Sequence, residues 1–182
     1  MNRRGLLELS VREFVGAVAS ADQPVPAGGS VAALTGASSA ALLALVCEVI
    51  ERKTPGGLVK SLETARELQQ QLLELVEEDA AAFRGFLDTP RGSAARRAAG
   101  QQVASVPLRI GRACLEVWSL VAAIEPNVRG PMHLDVGTAR QLATAAAESA
   151  LDIAEYNLVL IADAGAKQAL REEIAALRER RS

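Results

Sequence analysis

Aromatic residues are scarce in this chain: three Phe, one Trp and one Tyr, 3% of 182 residues. A core without them is filled by Leu, Val, Ile and Ala, and alanine-rich elements approach one another closely as helices, so the reading is all-α. No alternating pattern marks a strand, and no internal repeat is visible. Histidine occurs once, at His133, which excludes the paired Glu-x-x-His motifs of di-iron and zinc bundles, so no metal is expected. That histidine also sits beside no nucleophile with which to form a Ser, His and Asp set. Cysteine occurs twice, at Cys47 and Cys114 in separate helical patterns, which makes neither a disulfide framework nor a metal set; buried free thiols of a cytoplasmic protein are expected. Basic blocks are missing too. Twenty Lys and Arg against 22 Asp and Glu leave a formal charge of -2, so nucleic acid is not an expected partner.

What is present suits a single domain over residues 1–182. The start MNRRGLLELSVREF is basic, but Glu8 and Glu13 interrupt the apolar stretch that a signal peptide needs, and it reads as mature protein. The run from Gln23 to Cys47 is uncharged and long enough to suggest a membrane span. It opens with Pro and Gly, however, and contains Ser30, Thr35, Ser38 and Ser39, so it reads as the central helix of a bundle outside any membrane.

Ser10-Val11-Arg12-Glu13 is a capping box, followed by Leu7, Val11, Phe14, Val15 and Val18 on one face. A loop, QPVPAGG, leads to a second helix from about Ser30 to Lys53, stopped by Thr54-Pro55-Gly56-Gly57. A third helix runs from about Leu58 to Leu87, and a fourth from about Ser93 to Ile124, with Pro107 expected to kink or break it. A fifth spans about Asp135 to Ala164, and a charged amphipathic helix follows Gly165. The expected architecture is an antiparallel bundle of five or six helices with short connections. Its small-residue faces are broad enough that a homodimer is expected.

On the third helix the apolar stripe Leu72, Val76, Asp79, Phe83, Phe86 includes a carboxylate. Such a group must be paired, hydrogen-bonded or protonated, and it serves either a functional site or a neighbouring Arg or helix terminus. On the fifth helix the stripe Ala139, Ala143, Ala146, Ala150, Ile153 ends at Asn157, which contacts a ligand or a neighbouring helix backbone. Asp135 suits a helix cap, His133 a loop surface, and Arg52, Lys53 and Lys60 either a solvated turn or a dock for an anionic tail.

Taken in order, SVREFVGAVAS, PVPAGGSVAALTGASSAALLALV, EEDAAAF, VPLRIG and LDVGTARQLATAAAESALDIAEYNLVLI resemble the cyclodeaminase/cyclohydrolase family. That family comprises the cyclodeaminase domain of formiminotransferase-cyclodeaminase and related bacterial methenyltetrahydrofolate cyclohydrolases. Its Pro-x-Pro-Gly-Gly-Gly-Ser loop falls on Pro24, Pro26, Gly28, Gly29 and Ser30, with Ala27 in place of the first glycine. Its Asp falls on Asp79, its Ser-Asp pair on Leu134-Asp135, and its two late Asn on Asn157 and Ile161. The resemblance implies an all-helical, cyclodeaminase-like dimer that binds a tetrahydrofolate derivative as substrate. Asp79 and Asp135 would be catalytic, and Gly28, Gly29, Ser30, Asn157 and Lys53 would bind substrate. The implied reaction is hydrolysis of 5,10-methenyltetrahydrofolate to 10-formyltetrahydrofolate; the alternatives are formiminotetrahydrofolate deamination, or a silent dimer that binds folate or a protein.

Overall fold

The computed structural model describes residues 4–180. Six α-helices occur among them: α1 (Val11–Val18), α2 (Gly28–Lys53), α3 (Val59–Asp88), α4 (Ala94–Ile124), α5 (Met132–Asn157) and α6 (Ala164–Glu179). Local chemistry sets their ends. Ser10 and Glu13 form the reciprocal capping box at α1, with the Glu13 carboxylate accepting from the Ser10 amide at 2.7 Å. Gly56, at a φ of 98°, turns the chain after α2, and the Glu51 carboxylate takes the Gly56 amide at 2.6 Å. Ser93 caps α4 by accepting from the Arg96 amide at 3.0 Å, and Asp163 caps α6 by accepting from the Ala166 amide at 2.6 Å.

Helices α2 to α5 run up, down, up and down, with α2 packed against the other three. The antiparallel register of α2 and α5 shows in two contacts: Ser39 Oγ donates to the Ala139 carbonyl at 2.6 Å, and Gly28 faces Ile153. By length and composition alone α2 could cross a membrane, yet its Ala33, Gly36, Ala37, Ser39, Ala40 and Leu43 are buried among its neighbours. Small residues permit this approach: a Cβ on Gly36 would stand 2.5 Å from Cys114 Sγ and 3.2 Å from Leu72 Cδ1. Cys47 and Cys114 are free and buried, and burial pushes their thiols up to about 11 and about 12.

Four expectations need correction. Helix α2 starts at Gly28, so the two glycines form its first turn rather than a preceding loop. Of the kink or break expected at Pro107, the break does not occur: α4 continues through it to Ile124, and the ring removes one backbone bond. The fifth helix ends at Asn157 instead of Ala164, giving way to a one-turn 3-10 segment, Leu158–Leu160, after which Asp163 starts α6. Of the apolar face read near α1, only Phe14 is buried, whereas Val11 and Val15 are 83% and 61% exposed, because a helix of two turns reaches the bundle at one point.

Close packing around α2 makes a testable contrast between two helical glycines. Gly36→Ala should cost about 1–3 kcal/mol through overpacking against Cys114 and Leu72. Gly137→Ala on α5, where a Cβ meets nothing within 4 Å, should stabilise by about 0.5–1 kcal/mol through helix propensity. Urea denaturation midpoints of the two variants would show whether contact at Gly36 or backbone freedom governs.

Candidate functional site

Asp79 sits two turns before the end of α3, where the stripe passes from fully buried Leu72 and Val76 to half-buried Phe83. Antiparallel packing brings this level of α3 to the start of α2, with no room to spare. A Cβ on Gly29 would lie 2.5 Å from Asp79 Cγ, so only glycine lets the carboxyl reach the helix terminus. Ser30 Oγ donates to Asp79 Oδ2 at 2.8 Å, and the Ser30 backbone amide also bonds the carboxyl. The N-cap residue, Ala27, offers no side-chain bond, so Asp79, 49 positions after Ser30 in the sequence, supplies the cap. Of the two roles read for a carboxylate on this stripe, the helix-terminus role is thus present in the geometry.

The same carboxyl also lines a cavity of about 230 Å³ at this end of the bundle. Its walls come from Val25 and Ala27 before α2, Gly28 and Gly29 on α2, Ala82 and Phe83 on α3, Val103 and Val106 on α4, and Ile153 and Asn157 on α5. A larger groove of about 410 Å³ lies where α6 crosses α4 and α5, but there Arg178 is already committed to Asp152 and Glu155, both at 2.7 Å. The smaller cavity is the stronger candidate because its carboxyl is perturbed. Burial raises the Asp79 pKa above the ordinary value, and the Ser30 hydroxyl and amide pull part of the way back.

Asn157, the last residue of α5, points its amide nitrogen at the backbone of α4: Nδ2 donates to the Val103 carbonyl at 2.9 Å. The neighbouring-backbone role read for it is therefore realised, and the residue lines the cavity as well. Ala27 has extended backbone angles, φ -136° and ψ -160°, which any residue adopts, so its methyl group adds to the cavity wall without strain. Ile161, in the place of the family's second Asn, is buried at 7% exposure and is not among the lining residues.

Two residues expected at the site are elsewhere. Lys53 is exposed at the last turn of α2, ~37 Å along the helix from Gly28 at 1.5 Å per residue, and Arg52 beside it pairs with Glu48. Asp135 lies in the first turn of α5, behind the N-cap Pro131, and ~27 Å along the helix from Ile153. Neither reaches the cavity within one chain, because each occupies the wrong end of a long helix. His133 is exposed, its Nδ1 2.6 Å from the Gly130 carbonyl. Val103, Val106 and Ile153 were not singled out as site residues; apolar residues on buried faces carry no sequence signal that separates cavity wall from core.

Four long helices thus surround a carboxyl-lined cavity at a glycine-bearing helix start, the arrangement of an all-helical bundle with one polar pocket at its end. The chain belongs to the formiminotransferase-cyclodeaminase family, whose sequence profile matches residues 10–176. It is 29% identical over 157 residues to a methenyltetrahydrofolate cyclohydrolase of Methylorubrum extorquens, spanning 78% of this chain and 75% of the relative. The crystal structure of a formiminotetrahydrofolate cyclodeaminase from Thermotoga maritima has the same fold, with a TM-score of 0.87 and 24% identity over 96% of this chain and 91% of the other.

The raised Asp79 pKa has a stability consequence of definite sign. Its contribution is full below the ordinary aspartate pKa and is lost as pH rises through the folded-state value. Asp79→Asn keeps an acceptor for Ser30 and carries no charge, so its stability relative to wild type should be highest near neutrality. The difference should shrink as pH falls toward the usual carboxylate range. Denaturation midpoints of both proteins across pH test this, and a difference independent of pH would contradict it.

Proposed function

We propose that the protein is a folate-dependent one-carbon enzyme that hydrolyses 5,10-methenyltetrahydrofolate to 10-formyltetrahydrofolate. Asp79 carries this reading: one carboxyl with a raised pKa, hydrogen-bonded to Ser30 and open to a cavity that the first turn of α2 helps to wall. The likeness to a methenyltetrahydrofolate cyclohydrolase supports the choice of reaction. Deamination of formiminotetrahydrofolate is the alternative within the same family.

The methenyl carbon shares a positive charge with N5 and N10, so an ionised Asp79 beside it stabilises the bound cation. As the carboxylate takes a proton from water, the water oxygen bonds to that carbon and gives a neutral carbinolamine. Asp79 then returns a proton to N5 while the C–N5 bond breaks; the hydroxyl proton leaves to solvent, and the formyl group stays on N10. Water is added, one proton is released and the carboxylate is restored. A base whose pKa is raised toward the working pH performs both transfers better than an ordinary aspartate. The backbone amides of Gly28 and Gly29, at the positive end of α2 and in the cavity lining, would meet the developing carbonyl oxygen.

The assembly that fits this reading is a homodimer. The exposed apolar residues Val31 and Leu45 on α2, with Val11 and Val15 on α1, give a second copy an apolar face to cover. Loss of methenyltetrahydrofolate absorbance should be accelerated by the wild-type protein, and Asp79→Ala should reduce kcat/KM by ~10²- to 10⁴-fold. A wild-type protein that neither accelerates the decay nor shows a folate-induced shift in Tm would leave Asp79 as a helix cap in a non-catalytic bundle.

A further inference from the structure

Pro107 lies in the middle of α4 with no amide hydrogen, four residues after Val103. In an α-helix the amide of residue 107 would occupy the carbonyl of residue 103, so the ring leaves that carbonyl without its helical donor. Asn157 Nδ2 supplies the missing bond at 2.9 Å. The two residues are 50 positions apart in the sequence and on different helices, yet one takes away the donor that the other provides. With Nδ2 directed at Val103, the amide orientation is set by the network, and Oδ1 is the atom that remains. Among the described residues no buried side-chain oxygen or nitrogen lacks a partner and no donor meets Oδ1, so this atom is solvent-accessible on a residue that lines the cavity.

We propose that Pro107 is a positioning residue for the cavity, acting through Asn157. By freeing the Val103 carbonyl it anchors the Asn157 amide in one orientation, with Oδ1 presented to the ligand as a hydrogen-bond acceptor. The ligand edge that this atom takes carries N–H donors, as the edge of an amino-substituted nitrogen heterocycle or a secondary amide does. Its other polar neighbour, Asp79 Oδ2, already accepts from Ser30, so the two side-chain groups facing the ligand are both acceptors when Asp79 is ionised. A flipped Asn157 amide would oppose an oxygen to the Val103 carbonyl and an N–H to the ligand's N–H. The pair thus selects the polarity of the bound edge as well as its position.

The identity of the ligand rests on the folate reading, whereas the coupling of the two residues does not, and the experiment separates them. In a double-mutant cycle on the full chain, Asn157→Ala should raise the unfolding equilibrium constant roughly tenfold with Pro107 present, the effect of leaving one buried carbonyl unpaired. In the Pro107→Ala background the new amide takes that carbonyl, and the same substitution should change the constant by less than about threefold. By NMR, the Asn157 side-chain NH₂ should exchange slowly with solvent in wild type and rapidly in Pro107→Ala. With methenyltetrahydrofolate, Pro107→Ala should raise KM about tenfold and leave kcat within about twofold, since the proton-transferring group is untouched. Equal costs of Asn157→Ala in the two backgrounds, or unchanged side-chain exchange, would overturn the proposal. If wild type does not turn over the folate, the enzyme reading falls, while the cycle and the exchange rates still decide the role of Pro107.

Discussion

The first turn of α2 buries Gly29 and Ser30 without a side-chain cap of its own, and the Asp79 carboxyl meets this need from α3. Ser30 is fully buried, and an unpaired hydroxyl or amide there would cost about 1–3 kcal/mol. The bond that prevents this requires the carboxyl to approach the helix axis past Gly29, where any Cβ would collide with it. Close approach at one end of two antiparallel helices commits them to close approach along their length. The same spacing recurs lower down, where Gly36 lies against Cys114 and Leu72, and alanines fill the rest of the interface. A chain with few aromatics can form a dense core only this way, by bringing backbones together in place of filling space with rings.

Three backbone deficits are resolved at this end of the bundle, each by a side chain from another element or turn. Asp79 takes the hydroxyl and amide of Ser30 in the first turn of α2, and Asn157 takes the carbonyl that Pro107 orphans in α4. Arg96 bonds the Thr89 carbonyl at 3.1 Å and the Phe86 carbonyl, closing the C-terminal end of α3 while its guanidinium lies 3.6 Å over the Phe86 ring. Two of these three groups also face the cavity. The polar chemistry offered to a ligand is therefore made of residues whose orientation the fold already dictates, which is the arrangement that spares a site the cost of ordering its own groups on binding.

Periodicity and turn chemistry made most of the architecture legible. The Ser10 capping box, the Thr54–Gly57 stop and the Ser93 start are local signals that depend on a few adjacent residues, and each lies within a residue or two of an observed boundary. The end of α5 was not legible, because Leu158, Val159 and Leu160 continue an apolar pattern that a 3-10 turn satisfies equally well. Asp79 stood out as a carboxylate on an apolar stripe, and Asn157 as an amide on a small-residue stripe. Lys53 and Asp135 were assigned to the same site by the family resemblance, but helix rise separates them from it within one chain, and one-dimensional spacing does not show which end of a bundle a residue occupies. Pro107 was legible only as a disturbance of α4. Its relation to Asn157 is a tertiary contact, and the carbonyl that links them belongs to a third residue, Val103, whose side chain gives no hint of it.

The capping role of Asp79 is compatible with the proton transfer proposed for it because opposing effects act on one carboxyl. Burial raises its pKa, while Ser30 and the positive end of α2 favour the charged form, and burial wins in the free protein. A cationic ligand in the cavity would add a further favourable interaction with the carboxylate and tip the balance toward ionisation on binding. Consumption of that cation during hydrolysis would remove the interaction and restore the higher proton affinity just as a proton must be held for the departing nitrogen. A more exposed aspartate would remain ionised throughout, and one buried without Ser30 would hold its proton too tightly to accept another from water. The partial burial of Asp79 beside a capped helix start lies between these limits, so the contact that stabilises the fold also moderates the rise that burial imposes on the carboxyl.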